Sequence, residues 1–183
     1  MHRDGDWHRA LHLWVILPTG RVVLQRRSVA KDTHPGLVDV SVAGHLRAGE
    51  DVAEALRESE EEIGLVVRAD ETFALGMHRV ERGTDREVHT VLGVHATAEF
   101  ASLRPDADEV AALYAADVDA VLELEHGRRD ALFVEALDTL GVGVATLHRD
   151  DFVPDPAGYR AACLERLAAH LRGAPFERLA LAP

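Results

Sequence analysis

Apolar positions come in short runs through the first half of the chain, each closed by a cluster of turn-forming residues. Residues 8–17 form an apolar run with β-branched members that ends at Pro18, Thr19 and Gly20, a turn signal. Val22, Val23 and Leu24 resume the run over residues 21–25, so the two stretches predict a β-hairpin. A polar loop over residues 26–36 and a short strand over 37–42 follow, and Gly44 and Gly49 bracket the next loop. From Glu50 to Ile63 the period becomes helical, and Gly64 stands where a C-terminal cap stops a helix. Two more strands are expected over 73–80 and 87–96, around turn-like residues 81–85. Beyond Pro105 and Asp106 the pattern predicts a strand near 110–114 and a helix near 117–125.

Residues 131–148 carry Val, Leu and Gly in a pattern that suggests two strands, although part of it also suits a helix. Asp155 and Pro156 supply an N-cap and a first-turn proline for a last helix, which Gly173 and Pro175 close. On it Tyr159, Cys163, Leu167 and Leu171 recur at helical spacing, which makes Cys163 a small core residue. Strands mixed with a few helices, with no internal repeat, indicate one α/β or α+β domain over residues 1–183. Its core spans about 7–126 and its C-terminal extension about 127–183.

Composition narrows the function classes. At 183 residues, 47% hydrophobic and 28% charged, the chain is long enough for one well-cored domain. No stretch reaches the roughly 20 apolar residues of a membrane helix. The polar start of the chain and its single cysteine favour the cytoplasm. A net charge of −12 argues against nonspecific nucleic-acid binding, which depends on Lys and Arg neutralising phosphates. It leaves open a phosphorylated small molecule held through a divalent cation. Oligomeric state is not legible.

On a helical wheel of about 100° per residue, Val52, Ala55, Leu56, Ser59 and Ile63 share one stripe, the face to be buried. Glu58, Glu61 and Glu62 fall together on a neighbouring face, while Glu60 points away as a solvated bystander. Carboxylates at i, i+3 and i+4 repel one another, and a divalent cation reverses that sign. Magnesium favours such hard oxygen ligands and retains waters when it also holds a substrate phosphate.

The surrounding residues make the pattern specific. Gly44-His45-Leu46-Arg47-Ala48-Gly49-Glu50 precedes the helix, and Arg57-Glu58-Ser59-Glu60-Glu61-Glu62-Ile63-Gly64-Leu65 ends it. Together they closely resemble the Nudix box, G-x5-E-x7-R-E-U-x-E-E-x-G-U, with U aliphatic. Six residues separate Glu50 from Arg57 where that pattern has seven, and Ser59 takes an aliphatic position. The resemblance implies an α/β/α sandwich with a mixed, curved sheet and a C-terminal helical extension. It also implies a MutT-like pyrophosphohydrolase that uses magnesium, with manganese as an alternative. By the same resemblance Glu58 and Glu62 are the principal metal ligands and Glu61 a further ligand or base. Arg57 orients the glutamates, and Gly44 allows a sharp loop near the metal.

Over roughly residues 7–114 the chain is also similar to isopentenyl-diphosphate isomerases, which share this fold. The similarity lies in Leu11-His12-Leu13, the loop from Gln25 to Lys31, His34-Pro35-Gly36 and Ser41-Val42-Ala43-Gly44-His45. Those enzymes place a cysteine before the Gly-His pair, where this chain has Ala43, and generally lack the glutamates matching Glu58 and Glu61. Both differences point to hydrolysis. Arg27 and Lys31 match diphosphate-holding loop positions. His12 and His45 match metal-binding histidines; without a clear third, although His2 and His8 lie nearby, structural or hydrogen-bonding roles are expected for them. Asp85 and Glu87 match an acidic pair, which makes Glu87 a candidate extra ligand or general base. A second class of function, a Nudix domain that binds a ligand or partner without turnover, is the alternative.

Overall fold

The computed structural model describes residues 7–82, 85–155 and 157–180. The first two apolar runs form β1 (His8–Ile16) and β2 (Val22–Arg27), antiparallel about the turn at Gly20. Their register pairs Ile16 with Val22, next to that turn. Further on, the buried Ser41 hydroxyl stands between the strands: it accepts the Val15 N–H at 2.8 Å and donates to the Val23 carbonyl at 2.5 Å. The single strand expected over 37–42 is therefore two strands either side of this wedge. β3 (Val38–Asp39) pairs with β2, and β4 (Val42–His45) pairs with β1. Gly44 lies inside β4 rather than at a loop boundary.

The strands at 73–80 and 87–96 are longer than the pattern suggested, as β5 (Thr72–Arg82) and β6 (Asp85–His95). β7 (Val110–Ala116) follows, and residues 131–148 resolve into β8 (Leu132–Asp138) and β9 (Gly141–Leu147). The sheet order is β5-β6-β1-β2-β7-β8-β9, with β1 and β6 parallel and the other pairs antiparallel. The C-terminal segment thus extends the sheet as well as adding a helix.

Alternation along β1 sends its side chains to two cores, because successive strand residues face opposite sides. Trp14 and Ile16 join a core covered by α3 (Val118–Glu125) and α4 (Tyr159–Leu171), which contribute Val121, Leu124, Leu164 and Leu167. Leu13 and Val15 join one covered by α1 (Val52–Ala55) and α2 (Arg57–Ile63), through Ala55, Leu56 and Ile63. Fully burying one such leucine or isoleucine is worth about 2 kcal/mol. The result is the expected sandwich, helices on both faces of a mixed, unclosed sheet. Among the described residues no helix is long and apolar enough to cross a membrane.

The predicted helix over 50–63 is broken at Leu56. Asp51 caps α1: its carboxylate accepts the Glu54 N–H at 2.8 Å, and Glu54 reciprocates to the Asp51 N–H. At the break the Leu56 N–H reaches Ala53 O and the Ser59 N–H reaches Leu56 O, one residue short of helical bonds. The Ser59 hydroxyl also lies 2.7 Å from the carbonyls of both Leu56 and Leu65 and shares its one proton between them. Back-bonding of this kind bends helices, and it satisfies a hydroxyl that is fully buried where an aliphatic residue was expected. Gly64 closes α2 at φ 70°, as its cap position predicted.

The last helix starts at Tyr159, later than expected, after Gly158 at φ 69°. Asp155 still serves its first turn, accepting the N–H groups of Tyr159 and Arg160 at 3.0 and 2.6 Å. Pro156 lies outside the described residues. Cys163 and Leu167 are buried as anticipated, whereas Leu171 is 38% exposed at the helix end.

Candidate functional site

Two groups of polar side chains face each other across β4. On one side is α2. Arg57 is its hub: its guanidinium donates to Glu50 at 2.9 Å and to Glu61 at 2.8 Å, and it forms a short ion pair with Glu58. The Arg47 N–H, at 2.6 Å, is the first cause holding the Glu50 carboxyl below its ordinary range, against desolvation and with help from Arg57. Glu50, the expected first residue of the helix, thus lies outside it and braces Arg57. Glu58 lies against Gly44, and a methyl group at position 44 would overlap its side chain. Close approach of strand to helix, not a sharp loop, is what requires glycine here.

Glu62 occupies a different environment from its neighbours. It is 3% exposed, and its Oε2 accepts the Gln25 side-chain N–H at 3.1 Å and the Ala43 backbone N–H at 3.3 Å. Burial pushes its carboxyl up to about 7, against the pull of Lys31 and the two hydrogen bonds. Glu61 is half exposed and is held by Arg57. Gln25 was not singled out from sequence. Its signal was a polar residue closing the apolar run Val22-Val23-Leu24, and it is 1% exposed.

On the other side of β4 lies a cavity of about 370 Å³, lined in part by Arg27, Lys31, Ala43, Gly44, His45 and Glu87. Arg27 is nearly buried; it donates to the Thr33 carbonyl at 2.9 Å and the Thr33 hydroxyl at 3.1 Å, with Asp39 3.9 Å away. Lys31 pairs closely with Glu109. Both cations predicted from the loop therefore reach the cavity, fixed by local partners.

Strand register assembles the remaining groups: His8 stands opposite Glu87 across β1 and β6, and Ala10 opposite His45 across β1 and β4. One Glu87 oxygen accepts His8 Nε2 at 3.0 Å and His45 Nε2 at 2.7 Å, and the other accepts His89 Nε2 at 2.5 Å. Burial opposes ionisation of Glu87, but the hydrogen bonds from His45 and His89 prevail and hold it well below the usual carboxylate range. Among the described residues, His8, His45 and Glu87 form the group whose ligand atoms all lie within 4.8 Å, a geometry suited to a metal ion. Glu58, Glu61 and Glu62 are not drawn together in this way.

His12 belongs to neither group of ligands. It is buried, its Nδ1 accepts the Tyr159 hydroxyl at 2.8 Å, and it stacks on His89 at 4.0 Å. Burial, followed by His89, depresses its pKa well below the ordinary value, so it serves as a neutral hydrogen-bonding residue. Tyr159 also stacks on His78 at 4.3 Å, and α4 thereby reaches the cavity wall. His8, His78, His89 and Tyr159 were not recognised as a set, since only the register of β1, β5 and β6 brings them together. His2 and the side chain of Asp85 lie outside the described residues.

The geometry defines a class: a mixed-sheet sandwich with a short acidic helix beside a cavity that carries fixed cations. The NUDIX domain family matches residues 6–137, and the chain belongs to that family. It is 31% identical to an uncharacterized Nudix hydrolase of Clostridium acetobutylicum over 179 residues, covering 91% of this chain and 87% of that one. It is 32% identical to an isopentenyl-diphosphate Delta-isomerase of Burkholderia multivorans over 123 residues, 67% and 69% of the two chains. In fold it is similar to the crystal structure of a MutT protein from Methanosarcina mazei Go1, with a TM-score of 0.63 at 16% identity, covering 91% of this chain and 96% of that one.

Proposed function

We propose that the protein is a magnesium-dependent hydrolase that cleaves a diphosphate linkage in a small molecule by attack of water on phosphorus. The observation that carries this reading is Glu62, a buried carboxylate aimed at β4, beside Glu58 packed on Gly44 and a cavity edged by Arg27 and Lys31. A carboxylate raised to about 7 by burial is a group that a divalent cation would stabilise in its ionised form. The oxygen donors of Glu58, Glu61 and Glu62 suit magnesium or manganese. When bound, the metal supplies neutralisation of phosphate charge and activation of water.

The chain's own residues do the rest. Arg57 fixes the Glu58 and Glu61 carboxylates, while Gln25 and the Ala43 N–H aim Glu62. Arg27 and Lys31 grip phosphate oxygens from the cavity edge. Glu61, the most exposed of the three, is suited to take a proton from water, and Glu87 is a second candidate for that role or for a further metal ligand. The His8–His45–Glu87 group, with two imidazole nitrogens, suits a softer ion than magnesium. Ala43 lines the cavity with a methyl group where proton transfer to a carbon substrate would need an acid–base side chain. We read residues 1–183 as one unit, because β8, β9 and α4 complete the sheet and the cavity wall.

The test is a panel of nucleotides, nucleotide sugars, dinucleoside polyphosphates and prenyl diphosphates, incubated with magnesium or manganese and read as phosphate after phosphatase coupling. Turnover that requires the metal is expected. No product from any compound would sink the hydrolase reading, and tight metal-independent binding without turnover would replace it with a binding domain.

A further inference from the structure

The two edges of the sheet are finished differently. At one edge, β5 carries a register shift between Ala74 and Gly76, and the chain's own tail covers it there. The Met77 N–H donates to the Leu179 carbonyl at 3.1 Å, and the Leu179 N–H donates to the Leu75 carbonyl at 2.8 Å. Charged Arg79, Glu81 and Arg82 follow along that strand. β9, at the other edge, has none of these protections against pairing with another chain. It runs in unbroken register against β8, its seven residues hold no charge and no proline, and among the described residues no strand pairs with its outer side. The hairpin is apolar there as well. Phe133 pairs with Thr146, Glu135 with Val144 and Leu137 with Val142, which sets these six side chains on one face. Leu137 is buried in the core under α1 and α2, and Glu135, the one charge among the six, is paired with Arg21 at 2.8 Å. Beyond that core Phe133 is 82% and Val144 90% exposed, Val142 is half exposed, and Leu140 on the adjoining turn is 95% exposed.

We propose that β9 pairs antiparallel with β9 of a second copy of this chain, so that one sheet runs through a two-fold dimer. Pairing about a two-fold axis sets the same segment against itself, which an uncharged strand does without repulsion. A chain of net charge −12 repels its copies over most of its surface, and the nine uncharged residues from Thr139 to Leu147 are where two copies can approach. The area agrees. Phe133, Leu140, Val142 and Val144 together expose on the order of 500 Å², large for a patch on a monomer. With the strand edge added, this approaches the roughly 800 Å² per partner that a stable interface buries. Pairing also satisfies the outward backbone N–H and C=O groups of β9. The assembly closes at two copies, because the bare edge is then consumed and the tail blocks the other one. β9 does not line the cavity, so this proposal is independent of the substrate and of the hydrolase reading.

The experiment is sedimentation equilibrium of the full chain over a micromolar concentration series, for the wild type and for Val144→Lys. The wild type is expected to reach twice its chain mass of 20.0 kDa and no more. Val144→Lys should raise the dissociation constant at least about 100-fold, because each copy would bury an unpaired ammonium in the interface. Its melting curve should match that of the wild-type monomer, since the side chain it replaces is exposed. A wild type that stays monomeric throughout would leave the edge to an extended segment of another protein and overturn the proposal. So would a dimer that Val144→Lys leaves intact, which would place the interface on another face, or open-ended assemblies larger than two copies. Should Val144→Lys fail to fold, amide hydrogen exchange of the wild type decides. Protection of residues 141–147 that rises with protein concentration supports the β9 pairing, and protection independent of concentration in a dimeric sample overturns it.

Discussion

The acidic helix and the histidine-lined cavity sit on opposite sides of β4 and are built by opposite means. In α2 the candidate ligands come from one segment of seven residues, Arg57–Ile63, held by one arginine. In the cavity they come from β1, β4 and β6, gathered by strand register onto a single carboxylate, Glu87. The helix is a local device that a linear motif can encode. The cavity is a tertiary device, and its members are scattered along the sequence, with 79 positions between His8 and Glu87. The contrast extends to charge. Glu62 is pushed toward neutrality by burial, whereas Glu87 is kept ionised by imidazoles although it too is largely buried.

The sharpest way to break the comparison is Glu62→Gln. If the helix carries the metal, turnover should fall by about a thousandfold or more, since metal-assisted charge stabilisation is worth several kcal/mol. The same change should stabilise the metal-free protein. Glu62 titrates at about 7 in the fold against 4.5 unfolded, so the folded chain holds the proton longer and stability falls as pH rises from 4.5 to 7. The penalty above pH 7 is roughly 3 kcal/mol. A glutamine accepts the same two hydrogen bonds without it, and thermal melts at pH 8 without metal check the sign.

Glu87→Gln addresses the other side. It removes the anion shared by His8, His45 and His89, and activity should fall about 10- to 100-fold, the range for outer groups that orient a metal site. A loss equal to that of Glu62→Gln would move the catalytic metal into the cavity. Gly44→Ala tests the wall between the two sides: the added methyl meets Glu58, and a cost of about 1–3 kcal/mol is expected from overpacking. Its kcat should drop about tenfold or more as Glu58 is displaced, read by steady-state kinetics alongside a melt.

Tyr159→Phe should have a smaller effect, about 1 kcal/mol from one lost hydrogen bond to His12. That corresponds to a melting temperature lower by about 2–4 °C for a chain of this size. The smallest effect is expected at Cys163. Burial raises its thiol to about 12, so it stays protonated and enclosed, and native protein should resist alkylation at pH 8 that proceeds after denaturation. Rapid labelling of the native protein would show that α4 opens.

What the sequence determined by itself was everything carried by short spacing. The first hairpin, the cap at Gly64, the buried stripe of the acidic helix and the Arg57–Leu65 end of the family-defining box all depend on residues within a few positions of one another. Local hydrogen bonding and side-chain direction act over that range. Only the tertiary structure decided the rest. The wedge of Ser41 between β1 and β2 and the strand setting of Gly44 each depend on a partner far along the chain. So does the difference among three adjacent glutamates, since burial against Gln25 and Ala43, not spacing, separates Glu62 from Glu61. The meeting of His8, His45, His89 and Glu87 follows from strand order and register, which no periodicity specifies, because hydrophobic alternation fixes the face a residue takes and leaves its neighbour open.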